Sequence, residues 1–162
     1  MENKKINLVI VDDEEQFLTT IRRRLEIRGF NVIAVDRGEK ALEAARDYPL
    51  DIVLLDLKMP GLSGEQTLKA LKQEHQDLEV VILTGYASID SELECRRMGA
   101  YAYIRKPCEW EQLLAALTGA YKKKVMNKAQ IKEHEMDELL KKVDSNSPLS
   151  VLNKLKELDK GS

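Results

Sequence analysis

Residues 8–17 read LVIVDDEEQF, an uncharged run followed at once by four carboxylates. The run is rich in β-branched residues, which predicts a strand buried on both faces. Phe17, Leu18, Ile21 and Leu25 then fall on one helical face, which predicts a helix directly after the strand. A buried strand, a polar strand end and an amphipathic helix are therefore the unit to look for along the chain.

The same unit recurs through the first three quarters of the sequence. Helix-period segments separate short apolar runs, and Gly29 and Gly99 stand where two of the helices are expected to end. Strict alternation of strands and helices predicts the α/β class, with a parallel sheet covered by helices on both faces. The five predicted strands cover residues 6–11, 32–35, 52–55, 80–83 and 101–104.

Polar side chains stand where four of these strands end. Asp12 and Asp13 follow the first strand, Asp56 follows the third, Thr84 ends the fourth and Lys106 follows the fifth. In an open parallel sheet the functional crevice lies beyond the carboxyl ends of the strands. Each residue alone has an ordinary explanation, such as an aspartate that caps the next helix. Their joint occurrence at the ends of different strands predicts a single site.

The residue types at these strand ends indicate a particular chemistry. Three neighbouring carboxylates repel one another unless a cation lies among them or some are protonated. Hard oxygen ligands of this kind suit Mg²⁺. A divalent metal ion beside a lysine stabilises charge on a transferring phosphoryl group, and a carboxylate can accept that group as an aspartyl phosphate. The strand ends therefore predict phosphoryl transfer to an aspartate.

Four segments resemble the motifs of the response-regulator receiver domain of two-component signalling. They are VDDE at 11–14, LLDLKMPGLSGEQ at 54–66, ILTGYAS at 82–88 and GAYAYIRKP at 99–107. The resemblance covers about residues 5–121 and implies a flavodoxin-like fold, a doubly wound parallel sheet with strand order 2-1-3-4-5. It divides the chain into a receiver domain, residues 1–121, and a helical C-terminal extension, residues 122–162.

The resemblance also implies roles for the strand-end residues. Asp56 is the expected phospho-acceptor, and the expected donor is a phosphohistidine on a sensor histidine kinase or phosphotransfer protein. Asp12, Asp13, Asp56 and the backbone carbonyl of Lys58 are the expected ligands of Mg²⁺, or of Mn²⁺ in its place. Lys106 is expected to pair with Asp56 and then with the phosphoryl group.

A switch follows from the same resemblance. Thr84 is expected to stabilise the phosphoryl group through its hydroxyl, which moves toward the phosphate. Tyr103 is the expected second member of the switch pair, its ring turning inward behind Thr84. The peptide bond before Pro107 is expected to be cis, a form found essentially only before proline.

Three further positions are expected to govern access to the phosphoryl group. Gly85 is small and leaves the group reachable. Lys58 and Tyr86, two positions past Asp56 and Thr84, influence how an attacking water enters. A bulky Tyr86 is expected to shield the acyl phosphate and prolong its lifetime.

Past residue 121 the sequence becomes polar and helix-favouring. Apolar residues at roughly heptad spacing predict one long helix that continues the fifth helix. These residues are Val125, Ala129, Met136, Leu139 and Val143. Ser147 and Pro148 then predict a short helix near residues 148–159. Because the extension continues the fifth helix, it is expected on the output face, which helix four, strand five and helix five form. Three arrangements are possible there: a homodimer seam, an extension that folds back over the receiver, or a helix presented to a partner.

Composition limits the class of protein. The chain has 162 residues, of which 43% are hydrophobic and 33% charged, as in a globular protein. No apolar run approaches the roughly 20 residues that span a bilayer, and the N-terminus lacks a signal-peptide core. These features predict a cytoplasmic protein without membrane association. Two cysteines, Cys95 and Cys108, predict reduced thiols and no disulfide framework.

Charge is unevenly distributed along the chain. Residues 1–118 carry 16 basic and 21 acidic side chains, whereas residues 119–162 carry 10 and 7. A mildly basic tail permits contact with nucleic acid, although a solvated helix face is the commoner explanation of such a tail. The tail is also short of a helix-turn-helix domain with a recognition helix, which makes nucleic-acid binding the less favoured reading.

These observations favour a single-domain response regulator whose phosphorylation switches a protein interaction through helix four, strand five and helix five. It is not expected to be an enzyme, beyond catalysing its own phosphorylation and dephosphorylation. The alternative is a transcriptional regulator whose basic tail contacts nucleic acid. A phosphatase of the haloacid dehalogenase type is disfavoured, because VDDEEQ at 11–16 lacks the Asp-x-Asp spacing of that class.

Overall fold

Five parallel strands form one sheet in the order β2-β1-β3-β4-β5 in the computed structural model, which describes residues 4–159. This order confirms the predicted doubly wound fold. The central strands β1, β3 and β4 are buried almost throughout, as their unbroken apolar runs predict. The strands are β1 Ile6–Val11, β2 Phe30–Val35, β3 Ile52–Leu55, β4 Glu79–Thr84 and β5 Ala102–Arg105.

Helices cover both faces of the sheet. One hydrophobic cluster lies between the sheet and α1 and α5, with α6 and α7 joining it. A second cluster lies on the other face, under α2, α3 and α4. The helices are α1 Glu15–Ile27, α2 Gly38–Asp47, α3 Gly64–Glu74, α4 Ile89–Arg97, α5 Trp110–Ala129, α6 Glu133–Leu140 and α7 Pro148–Leu158.

The register of the sheet determines which strand ends are neighbours. Val11, the last residue of β1, is aligned with the last residues of β2 and β3, Val35 and Leu55. The Asp56 N–H donates to the Val11 carbonyl at 3.0 Å, and the Asp12 N–H donates to the Val35 carbonyl at 3.1 Å. Asp12 and Asp56 therefore leave adjacent strands at the same level.

Two helices end at glycines, as the sequence predicts. Gly29 follows α1 with φ 89° and Gly99 follows α4 with φ 103°. Both values lie in the left-handed region, where a glycine turns the chain toward the next strand without a Cβ clash.

The prediction of one long helix through residue 143 is wrong. The helix α5 ends at Ala129, Gln130 adopts a left-handed conformation with φ 56°, and α6 begins at Glu133. A 20-residue helix already spans about 30 Å, the width of a small domain. The turn at Gln130 brings Met136 back onto the receiver, where it is fully buried.

The extension folds back over the receiver. Ser147 accepts a hydrogen bond from the Ser150 N–H and Pro148 begins α7, as predicted. The buried residues Leu152 and Leu155 belong to the same cluster as Leu25 of α1. The extension thus packs on α5 and covers the α1 and α5 side of the receiver, leaving α4 uncovered. Folding back over the receiver is one of the three arrangements expected from the sequence.

Folding back also occupies part of the apolar seam that the sequence offered to a second copy of the chain. Val125 and Met136, two of its apolar positions, are fully buried within the chain. The predicted boundary between residues 121 and 122 lies inside α5, and its two sides share one hydrophobic cluster. The outermost parts of the predicted domains, residues 1–3 and 160–162, lie outside the described residues.

Among residues 4–159, the helices are all too short or too polar to cross a bilayer.

Candidate functional site

Three carboxylates meet at the carboxyl edge of the sheet. One oxygen each of Asp12, Asp13 and Asp56 lies within 4.8 Å of the other two. Asp12 and Asp56 are buried and Asp13 is exposed. Oxygens on opposite sides of a Mg²⁺ ion are about 4 Å apart, so this set fits such an ion when one carboxylate acts through water. The side chains predicted as metal ligands are therefore close together, and the carbonyl of Lys58 stays a predicted ligand.

Lys106 extends over these carboxylates from the end of β5. Its Nζ lies 2.5 Å from Asp12 Oδ2, 3.5 Å from Glu14 Oε1 and 3.6 Å from Asp56 Oδ2. The sequence predicted the pair with Asp56, and in this structure the nearest carboxylate is Asp12. The ammonium thus touches both buried carboxylates and offsets part of their repulsion.

Burial and ion pairing shift the pKa values of Asp12 and Lys106 in opposite directions. Burial raises the pKa of Asp12, and the hydrogen bonds from Lys106 and from the Glu14 N–H offset this only in part. Burial alone would lower the pKa of Lys106, but the hydrogen bond to Asp12 and the nearby carboxylate charges raise it overall. Lys106 therefore carries its positive charge at neutral pH.

Asp56 stands at the centre of the site with little freedom to rotate. It is 5% exposed, and its Oδ1 accepts the Leu57 N–H at 2.7 Å. Its Oδ2 is directed toward Lys106. One oxygen is thus fixed by the backbone, and the other lies among charged groups at the open edge of the sheet.

Thr84 and Tyr103 both bond to the loop between β4 and α4. The Oγ1 of Thr84, fully buried, accepts the Tyr86 N–H at 3.1 Å. The hydroxyl of Tyr103, half-buried, accepts the Ser88 N–H at 3.3 Å. The predicted switch residues are therefore coupled through three consecutive residues of one loop. A Cβ on Gly85 would meet no atom within 4 Å, so the approach beside Thr84 is open.

Lys58 and Tyr86 contact each other across the site. The Lys58 Nζ lies 4.2 Å from the centre of the Tyr86 ring, a cation–π contact between two exposed side chains. The sequence placed each of them near the phosphoryl group but did not predict this pair. The contact joins the loop after β3 to the loop after β4.

The sequence missed two neighbours of Lys106. Phe17 lies with its ring centre 4.2 Å from the Nζ, and Glu14 approaches the same atom. Both stand at the start of α1, where the spacing predicted an apolar helix face and a first helical turn. The Lys106–Pro107 peptide bond is cis. A cavity of about 630 Å³ opens beside it, with Phe17 and Trp110 in its wall.

Comparisons with known proteins identify a family that this chain matches. The family model described as response regulator receiver domain matches residues 8–118. The transcriptional regulatory protein ZraR of Escherichia coli is 33% identical over 120 residues, which are 74% of this chain and 27% of that protein. The chain thus spans about a quarter of the length of the first curated relatives that it matches.

Two solved structures are also similar to this chain. A response regulator receiver domain from Clostridium thermocellum is 32% identical with a TM-score of 0.67, covering 71% of this chain and 93% of that one. A CheX–CheY complex with BeF3 and Mg²⁺ from Borrelia burgdorferi contains a chain 26% identical with a TM-score of 0.67, covering 72% and 89%.

Proposed function

The chain belongs to the response regulator receiver domain family, and we propose that it accepts a phosphoryl group on Asp56 and thereby switches a protein interaction. The observation that carries this proposal is the convergence of three carboxylates and Lys106 at one sheet edge. Within that group, Asp56 is the buried carboxylate with one oxygen held by the backbone and one directed toward the ammonium.

The proposed transfer uses the second oxygen of Asp56. Oδ2 attacks the phosphorus of a phosphohistidine on a sensor kinase or phosphotransfer protein. The new O–P bond forms as the P–N bond breaks, and the electron pair of that bond stays on the histidine nitrogen. Lys106, within 3.6 Å of this oxygen, then pairs with the phosphoryl oxygens. The chain catalyses only its own phosphorylation and dephosphorylation.

Asp12, Asp13, Asp56 and the Lys58 carbonyl would hold the divalent cation, Mg²⁺ or Mn²⁺. When bound, such an ion neutralises charge on the transferring phosphoryl oxygens. The carboxylates orient it, and the ammonium of Lys106 limits their mutual repulsion. The proposal is supported by the donor set, because three carboxylates in one small volume match the ligand preference of a hard cation.

The proposed switch starts at Thr84. As the Thr84 hydroxyl moves toward a phosphoryl oxygen, its present hydrogen bond from the Tyr86 N–H is expected to break. The same loop is bonded to Tyr103 through Ser88, so the ring of Tyr103 and the start of α4 rearrange with it. The charge on Asp56 is thereby converted into a change on the surface of α4 and β5.

The α4 surface is suited to a protein partner. Ile89 and Leu93 are 78% and 57% exposed on this helix. On the opposite side of the receiver, α7 packs on α5 and its apolar residues join the core. We therefore place the proposed partner site on α4 and β5 together with the part of α5 that α7 leaves free.

The phosphorylation claim is tested by incubating the protein with acetyl phosphate and Mg²⁺ and measuring its intact mass. Wild type is expected to gain one phosphoryl group, and Asp56→Asn to gain none. Asp47→Asn is the matched control, since Asp47 is an exposed aspartate at the end of α2. Absence of a mass gain on wild type would overturn the proposal.

The second candidate is a transcriptional regulator, favoured by the name of the relative ZraR. The extension argues against direct contact of its lysines with nucleic acid, because many are already paired with carboxylates. Those lysines are Lys122, Lys123, Lys124, Lys128, Lys141 and Lys154. DNA binding that weakens steeply with salt would favour this candidate.

A further inference from the structure

The loop between β3 and α3 carries Lys58 and is held firmly at both ends. At its start, the Leu57 carbonyl accepts the Gly64 N–H at 2.8 Å. At its end, Ser63 and Gln66 form a reciprocal capping box at the start of α3. The five residues between these anchors, 58–62, contain the carbonyl that is proposed to face the cation.

Those five residues have one hydrogen bond within the described part of the chain. The Leu62 N–H donates to Glu39 Oε1 at 2.7 Å. The adjacent Gly61 has φ 81°, and a Cβ on it would lie 2.8 Å from the same oxygen. The Glu39 carboxylate thus lies directly against the turn, at hydrogen-bond distance from its backbone.

Glu39 is itself well anchored. It stands in the first turn of α2, next to Gly38, whose Cα is packed so closely on Thr67 of α3 that a Cβ would overlap the Thr67 hydroxyl. That hydroxyl donates to the Ser63 carbonyl at 2.8 Å, at the end of the same loop. The starts of α2 and α3 are therefore closely packed beside the turn. This packing fixes the backbone from which the Glu39 side chain extends.

The carboxylate is ionised at neutral pH. Hydrogen bonds from its own backbone N–H and from the Leu62 N–H lower the pKa of Glu39. An ionised acceptor forms a stronger hydrogen bond with an N–H than a neutral one does. The hydrogen bond from the Leu62 N–H to Glu39 consequently restrains the turn between the two ends of the loop.

We propose that Glu39 is a positioning residue for the cation site, holding the turn at 58–62 so that the Lys58 carbonyl is presented toward Asp12, Asp13 and Asp56. This inference rests on the proposed function. A loop that is already ordered loses less conformational entropy when its carbonyl becomes a ligand, so the hydrogen bond of Glu39 contributes to cation affinity without touching the cation.

The test compares Glu39→Ala with Glu39→Gln. Alanine removes the acceptor, whereas glutamine keeps an oxygen in the same place and is the conservative rescue. Glu43→Ala is the matched control, since Glu43 is exposed on the same helix one turn further on. Mg²⁺ affinity is measured by titration calorimetry of the unphosphorylated full chain, and hydrogen exchange of the Leu62 amide is measured in parallel.

Glu39→Ala is expected to weaken Mg²⁺ binding about three- to tenfold and to speed exchange of the Leu62 amide. Glu39→Gln is expected to stay within about twofold of wild type, and Glu43→Ala to match it. Equal Mg²⁺ affinity of Glu39→Ala and wild type would overturn this inference alone, whatever the amide exchange shows. A wild type that does not bind Mg²⁺ would overturn the proposed function and this inference together.

Discussion

At the residue scale, the four carboxylates of residues 12–15 have separate roles in the fold. Asp12 is buried against Lys106, and Asp13 is exposed at the rim of the site. Glu14 precedes α1 and approaches Lys106, whereas Glu15 lies in the first turn of the helix. A carboxylate in that turn is favoured by the positive end of the helix dipole. A single block of like charge is thus divided between a site and a helix start.

Tyr86 provides a prediction at this scale. Replacing it with alanine removes the ring that contacts Lys58, and with it the shielding that this ring is proposed to give the acyl phosphate. An exposed cation–π contact contributes about 0.5–1 kcal/mol, so the aspartyl phosphate of Tyr86→Ala is expected to hydrolyse about two- to fivefold faster. The lifetime is measured by following the mass of the phosphorylated protein after acetyl phosphate is removed.

Two variants make the Tyr86 result specific. Tyr86→Phe keeps the ring and is expected to retain the wild-type lifetime. Tyr48→Ala removes an exposed tyrosine at the end of α2 and should have no effect. An unchanged lifetime in Tyr86→Ala would show that the ring does not shield the phosphoryl group.

At the scale of elements, α7 behaves as part of the receiver core. Leu152 and Leu155 are fully buried, and they pack with residues of α1 and α5. The end of α7 is held by Asp159, which accepts a hydrogen bond from the buried Tyr121 hydroxyl at 2.7 Å. Lys128 and Lys4 lie 3.0 and 3.2 Å from its other oxygen. Apolar packing and a charged contact therefore fix the same helix.

Leu155→Ala is expected to lower the free energy of unfolding by about 2–5 kcal/mol, the usual cost of truncating a buried leucine. Leu149→Ala, in the same helix but 51% exposed, is expected to change it by less than about 0.5 kcal/mol. Urea denaturation of both variants checks this. Equal effects would contradict the docking of α7 on the receiver.

Asp159 gives the docking of α7 a pH dependence. Burial raises the pKa of this carboxyl, but hydrogen bonds from Tyr121, Lys128 and Lys4 outweigh burial and lower it overall. Because the pKa of Asp159 is lower in the folded chain than in the unfolded chain, ionised Asp159 stabilises the folded state. This stabilisation is complete above about pH 4, and it is lost as the pH falls through the lowered pKa.

Asp159→Asn is therefore expected to be less stable than wild type at pH 7, by about 1–3 kcal/mol. The difference should shrink when both proteins are unfolded by urea at progressively lower pH, below about pH 4. Asp144→Asn, an exposed aspartate before α7, is the control and should follow wild type at every pH. A difference that does not depend on pH would show that the charge of Asp159 is not responsible.

At the scale of the whole molecule, one flank of the receiver is covered by the extension and the other is exposed. The α1 and α5 flank is covered by the extension, and the α4 flank leaves Ile89 and Leu93 exposed. The carboxylates lie at the carboxyl edge of the sheet, and the Thr84 and Tyr103 bonds lead from there toward α4. Two hydrogen bonds therefore connect the ends of β4 and β5 to the loop before the exposed flank.

Phosphorylation is expected to change hydrogen exchange several-fold in residues 84–103 and to leave α7 as protected as before. The reason is that the bonds which must rearrange lie in the loop before α4, whereas α7 is held by buried leucines and by Asp159. Exchange is measured by mass spectrometry with and without acetyl phosphate. Asp56→Asn is the control for effects of the reagent. Loss of protection in α7 would instead show that the extension is released.

The sequence alone determined the alternation of strands and helices, the strand ends that carry Asp12, Asp56 and Lys106, and the glycines that end two helices. These features depend on local patterns, because hydrophobic period, turn residues and motif order are all read within short segments. The family motifs then supplied the order of the strands. Strand limits were correct to within about two residues, the usual uncertainty of helix and strand ends.

Only the tertiary structure decided how the extension packs and which residues meet across the site. Apolar spacing in residues 122–143 is equally compatible with a partner helix and with the chain's own receiver. Burial of Met136 and Leu155 in the receiver core decides between them. The contacts of Lys58 with Tyr86 and of Glu39 with Leu62 likewise join different loops and helices. Such contacts depend on distances in space, which a pattern along the chain does not contain.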